Sequence, residues 1–111
     1  MQLIAPVEKF YDYIFKPGAT HGKDHVFRSL GYSRSDSQML SELYSLQAVA
    51  RYTAQDFTLG KADEYGQRIN IVIELVGQGD FSSQSSHLIS GWMTRDDGTL
   101  TLNTPFSGFA R

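Results

Sequence analysis

Cysteine is absent from this 111-residue sequence. Disulfide bridges, thiolate metal sites and cysteine nucleophiles are thereby excluded. A small chain without such staples is held by its hydrophobic core alone, which suits a reducing compartment. Long apolar runs are also missing. No stretch approaches the roughly 20 residues of a membrane span, and Met1 to Pro6 is too short for a secretory leader with a basic flank. The chain is therefore expected to be cytoplasmic and away from membranes. A strong positive charge is missing as well. Ten Lys/Arg against twelve Asp/Glu leave a net −2, which argues against avid nonspecific nucleic-acid binding, and no DNA partner is expected. The P-loop, G-x-G-x-x-G, G-x-S-x-G and H-E-x-x-H patterns do not occur. P-loop nucleotide hydrolysis, elbow-type serine hydrolysis and zincin chemistry have no motif to rest on.

What is present is a globular composition, 41% hydrophobic and 20% charged, with seven Phe, six Tyr and one Trp. A chain this short supports one core. No linker, repeat or low-complexity tract interrupts it, so residues 1–111 read as a single domain. Charge is unevenly spread. Residues 1–34 hold five Lys/Arg against three acids, residues 35–66 two against five, and residues 67–111 three against four.

Apolar spacing predicts a helix over 6–16, with Pro6 at its first position and Val7, Phe10, Tyr11 and Ile14 as its stripe, stopped by Lys16-Pro17-Gly18. A short helix is predicted from Asp24, as N-cap, to Leu30, with Gly31 ending it. A longer helix over 35–52, capped by Ser33 or Ser35, carries Met39, Leu40, Leu43, Leu46 and Ala50 as its stripe. After Thr53 the period falls to two. A weak strand at 56–61 is followed by the turn Asp63-Glu64-Tyr65-Gly66 and a strong strand, 67–76, with Ile69, Ile71, Ile73 and Leu75 on one face. Strands at 87–94 and 99–103 flank the hairpin signal Asp97-Gly98. Pro105 is expected to break the last strand, leaving a short edge piece at 106–109. The expected class is α+β: two to three N-terminal helices packed on one face of a three- to four-stranded antiparallel meander sheet.

Four groups of residues carry possible chemistry. His21-Gly22-Lys23-Asp24-His25 sits at the mouth of the second helix. Cleavage of RNA without metal needs a base, an acid and cations for the phosphorane charge. His21 and His25 can move protons near neutral pH, and Lys23 can neutralise a phosphate. The same string also reads as a solvated loop whose Asp24 merely caps a helix. As zinc ligands, His21 and His25 with His87 make a poor set, because Gly22 takes His21 off the helix. No metal and no cofactor are expected. Arg68 opens the strong strand and shares a face with Asn70, Val72 and Glu74. It either clamps a phosphate or pairs with Glu74. On the next strand Ser90, Trp92 and Thr94 share a face, where the indole either stacks a base or belongs to the core. The terminal Thr99, Thr101, Asn103 and Thr104 are ordinary sheet residues, with Thr104 a candidate substrate-binding hydroxyl.

Gly22-Lys23 leading to Val26-Phe27-Arg28-Ser29-Leu30-Gly31-Tyr32, then Asp63-Glu64-Tyr65-Gly66-Gln67-Arg68, then Ser90-Gly91-Trp92, resembles a family of small bacterial domains of unknown function that occur alone and as C-terminal modules of polymorphic toxins. The resemblance covers roughly residues 8–104, and the Asp-Glu-Tyr-Gly-Gln-Arg string is its most specific part. It implies a ribonuclease of the barnase–EndoU–colicin–RelE type, with its site on the sheet face. Lys23 matches the family's loop lysine, Arg68 its strand-opening arginine and Trp92 its sheet tryptophan. The chain departs from the family in a shorter interval between the loop lysine and the phenylalanine. It also has Thr104-Pro105-Phe106 where the family ends in a Thr-x-Tyr-like string, and it lacks the basic charge common among nuclease toxins. The expected function is a metal-independent endoribonuclease toxin, with RNA and a cognate immunity or antitoxin protein as partners. His21, Lys23, His25 and Arg68 would be catalytic, and Trp92, Thr94 and Thr104 would bind substrate. The alternative is a non-catalytic protein-binding module of the immunity or antitoxin kind, using the acidic 35–66 surface against a basic partner.

Overall fold

The computed structural model describes residues 2–110. The chain runs through β1 (Gln2–Ile4), a π-helical segment (Lys9–Ile14), α1 (Asp24–Ser29), a 3-10 turn (Arg34–Asp36), α2 (Ser37–Thr53), β2 (Thr58–Asp63), β3 (Gly66–Val76), a second 3-10 turn (Gly79–Phe81), β4 (Ser85–Thr94) and β5 (Thr99–Phe109). Among these elements no helix is long and apolar enough to cross a membrane.

The expected three- to four-stranded antiparallel sheet is overturned. The sheet has five strands in the order β1-β5-β4-β3-β2, and it is mixed, because β1 runs parallel to β5. Three residues are too few to show a period, and a parallel partner almost a hundred residues away leaves no local signal. Only α2 is a long helix; the others are a turn or two.

Strand β3 decides the layers. Ile69, Ile71, Ile73 and Leu75 are buried, while the alternate residues Arg68 and Glu74 are exposed and Asn70 and Val72 half-buried. Cross-strand partners extend the same division. Ile69 lies opposite Trp92, which in turn lies opposite Leu102, and Ile71 lies opposite Ser90. The helices cover this inner face. Phe10 meets Tyr44 edge-on at 4.9 Å and Phe27 at 6.2 Å, and Phe15 meets Phe27 at 5.8 Å. The other face carries Arg68, Asn70, Val72, Glu74, His87, Ile89 and Gly91, and among the described residues no helix covers it.

Three local expectations change. The first helix is wound wider than an α-helix: the Phe15 N–H donates to the Phe10 carbonyl five residues back. That winding puts Phe10, Ile14 and Phe15 in the core and turns Tyr11 out to 44% exposure. Helix α2 buries Ser37, Leu40, Ser41, Tyr44 and Ala48, while Met39, Leu46 and Val49 face outwards. It has two apolar arcs. The one with serines is buried because Ser37 donates to the Arg34 carbonyl and Ser41 to the Ala5 carbonyl, and Tyr44 donates to the Pro105 carbonyl at 2.9 Å. Pro105 does not end β5. It sits where the β4–β5 register shifts, a position with no ladder hydrogen bond for its missing N–H to forfeit.

Burial holds the Tyr44 phenol well above its ordinary value of 10.0, and burial also raises Tyr32. In the unfolded chain Tyr44 gives up its proton near pH 10, while in the folded protein it stays neutral. Its contribution is therefore complete below pH 10 and is lost as pH rises above it. Urea unfolding from pH 9 to 11.5 should show stability falling by up to about 1.4 kcal/mol per pH unit from this group. Tyr44→Phe should flatten that fall, leaving the share of Tyr32. At pH 7 it should cost about 1 kcal/mol for the lost hydrogen bond.

Candidate functional site on the open sheet face

The residues expected to form one site are divided among three regions. His21 and Lys23 lie in the helical layer just before α1, and His25 lies in its first turn. The segment after α1 docks at the far end of β3, where the Leu30 carbonyl accepts from the Gln78 N–H at 2.9 Å and the Tyr32 hydroxyl donates to the Val76 carbonyl at 2.6 Å. Arg68 begins β3, eight residues or about 26 Å of strand from Val76, and on the other face. Trp92 is in the core, 1% exposed, with its indole N–H donated to Ser90 Oγ at 2.8 Å. No base can stack on it.

Within the loop, Tyr13 is the hub. Its carbonyl is 2.8 Å from His21 Nε2, and its hydroxyl accepts from Lys23 Nζ at 2.9 Å. The Lys23 backbone N–H donates to His21 Nδ1 at 2.9 Å. Because Nδ1 accepts, the proton is on Nε2 and goes to the Tyr13 carbonyl. Both ring nitrogens are engaged by backbone, so His21 is a brace for the loop with no nitrogen left for a 2′-hydroxyl. His25 is exposed and packs beside Gly22. Asp24 does not cap α1, which begins after Lys23. It accepts from Arg28 Nε at 2.8 Å, and this hydrogen bond holds its carboxyl below the usual value.

The family-like string 63–68 is largely structural. Asp63 accepts from the Tyr65 N–H at 2.8 Å. Gly66 has φ of +135°, and a Cβ there would stand 2.2 Å from the Thr94 carbonyl oxygen, so no other residue fits. Gln67 donates to the Gly60 carbonyl at 2.9 Å and spans the β2 bulge. Thr94 Oγ1 donates to the Gln67 carbonyl at 3.1 Å. This turn and the β4–β5 turn border a cleft of about 630 Å³ lined by Asp63, Glu64, Asp96 and Asp97, with Arg95 as its only cation among the described residues.

Arg68 and Thr104 are brought together. With Asn70, Gly91, Asn103 and Ser107 they line a pocket of about 210 Å³ on the open sheet face, its floor bordered by buried Ile69 and Trp92. Its origin is local. Gly91 has no side chain, and opposite it β5 bulges twice, pairing Trp92 with Leu102, Gly91 with Thr104 and Ile89 with Gly108. The expected pairing of Arg68 with Glu74 is not made; Glu74 lies beside His87, Oε2 to Nε2 3.7 Å. Among the described residues Arg68 has no ion pair. The pocket therefore offers a guanidinium, two carboxamides and the Thr104 hydroxyl, while Ser107 donates its own proton to the Ile89 carbonyl at 3.3 Å; no carboxylate, imidazole or amine lines it among the described residues. That set suits an oxyanion. Sequence reasoning placed Asn70 on Arg68's face, and the glycine inside a strand was the available sign of a dent. Asn103 and Ser107 had no such signal. Among the described residues no three His, Asp or Glu side chains gather as metal ligands.

His21 should appear by nitrogen-detected NMR as the Nε2–H tautomer. His21→Ala should lower stability by about 1 kcal/mol, the worth of a hydrogen bond or two. A predominant Nδ1–H tautomer would contradict this geometry.

Comparison with curated proteins and with solved structures returns no match. A family model described as a domain of unknown function, DUF6883, matches residues 1–106. Its description mentions neither toxin nor nuclease. The resemblance read from the motifs thus holds at the level of a family of unknown function, and the chain belongs to the DUF6883 family.

Proposed function

We propose that this domain is a non-catalytic RNA-binding module that holds a backbone phosphate in the open-face pocket. The observation that carries the reading is the chemistry of that pocket. Arg68, Asn70, Asn103 and Thr104 bring donors to one pocket in a chain of net charge −2, and among the described residues the guanidinium has no carboxylate to neutralise it. A planar guanidinium holds two phosphate oxygens at once. Asn and Thr side chains both give and accept hydrogen bonds, as a 2′-hydroxyl requires. An exposed sheet face suits a splayed single strand.

The expected cleavage reaction finds less support. General acid–base catalysis needs a proton carrier within reach of the reacting oxygens. None lines this pocket. His21 is engaged on both nitrogens, and His25 and Lys23 lie in the other layer. A second reading, docking of a basic protein, is favoured by the acidic cleft between the two turns.

Titration of a short single-stranded RNA should show Arg68→Ala weakening binding about tenfold or more, the loss of a charge-assisted hydrogen bond. Lys23→Ala and His25→Ala should leave it unchanged. Incubation with RNA and a chelator should leave the RNA intact. Cleavage that disappears in His25→Ala would overturn the binding-only reading. Binding that is insensitive to Arg68→Ala, but lost to a lysine-rich peptide competitor and in Glu64→Lys, would favour the basic-partner reading instead.

A further inference from the structure

Beside the phosphate pocket the same sheet face has a second hollow, of about 310 Å³, and Asn70 lines both. Its character is different. Val72 and Ile89, cross-strand partners, line it. Opposite Ile89 on β5 stands Gly108, where an added Cβ would meet nothing within 4 Å, so no side chain fills the space. Phe57 borders it while stacked on Tyr52, centroids 5.3 Å apart and planes 15° from parallel. The one charged lining residue, Asp56, is held by Arg51 at 2.5 Å. Thr58, the partner of Asn70 on β2, adds a hydroxyl at the rim.

We infer that this hollow is a nucleobase subsite, so that the open face takes a nucleotide with its phosphate at Arg68 and its base against Val72, Ile89 and Phe57. The inference rests on the phosphate-binding reading above. Three features carry it. Apolar and donor hollows meet at one residue, which demands a ligand with an anionic head and an apolar body. The spacing suits a nucleotide: Arg68 and Val72 are four residues apart on one face, about 13 Å of strand, with Asn70 midway. The polar groups at the junction are those that read a base edge, a carboxamide with both donor and acceptor and a hydroxyl. Among the described residues the Asn70 and Thr58 side chains make no internal hydrogen bond, which leaves them free for a ligand. A fatty body would meet the same apolar floor but would leave both polar groups unpaired.

The test is an NMR titration of the intact chain with inorganic phosphate, ribose 5-phosphate and adenosine 5′-monophosphate. All three should shift the Arg68 and Gly91 amides. Only the nucleotide should shift Val72 and Ile89, and it should bind about 5- to 100-fold tighter than ribose 5-phosphate, the range for one stacked base. Val72→Thr, which keeps volume, and Phe57→Leu should each erase most of that advantage and leave phosphate binding unchanged. Either variant that keeps its amide spectrum suffices. If the nucleotide binds no tighter than ribose 5-phosphate, the base subsite is wrong and the phosphate pocket stands. If none of the three shifts Arg68 or Gly91, both readings fall.

Discussion

Everything else in this molecule depends on the two-residue alternation of β3. With Ile69, Ile71, Ile73 and Leu75 on one side, burying any of them commits all four to the helical layer. Arg68, Asn70, Val72 and Glu74 are then committed to the opposite side. A slip of one residue would place a guanidinium and a carboxylate among Phe10, Phe27 and Tyr44, at a cost no core this small could absorb. The strand therefore divides the polar chemistry of the chain into two populations that cannot meet. His21, His25 and Lys23 belong to the helical layer, and Arg68 and His87 belong to the open face.

The open face acquires shape because its regularity fails at one place. Gly91 removes a side chain from the centre of β4, and β5 needs extra residues to pass it, including Pro105. The proline is tolerated there because the register shift asks no N–H of it, and its carbonyl accepts from buried Tyr44. A core tyrosine on α2 thus fixes the path of β5 around the pocket. The dent collects donors from β3 and β5 without a carboxylate, which makes it a receptor for negative charge despite the acidic average. The acid is concentrated elsewhere, at the two turns that share the end of the sheet.

The helical loop has a different logic. Tyr13 accepts from Lys23 and faces His21, and His21 in turn accepts from the Lys23 backbone. A string that looks like acid–base machinery serves as a closed hydrogen-bonded brace. Similarly, Asp63, Gly66 and Gln67 have turn, close-approach and bulge duties that explain most of the family-like string. Such strings report folding constraints as readily as chemistry.

Periodicity alone determined the strong elements here: the isoleucine face of β3, the hairpin at Asp97-Gly98, α1 with its Gly31 stop and the approximate span of α2. These are local matters, set by φ, ψ and the nearest few side chains. The parallel strand β1, the face that α2 buries, the continuation of β5 through Pro105 and the grouping of Arg68 with Asn103, Thr104 and Ser107 were decided only by tertiary structure. Each depends on a partner far away in the chain, such as Leu100 for Leu3, the Ala5 carbonyl for Ser41 or Gly91 for Thr104. Contacts across that distance leave no period in a single sequence, so the pocket could be seen only once the strands lay side by side.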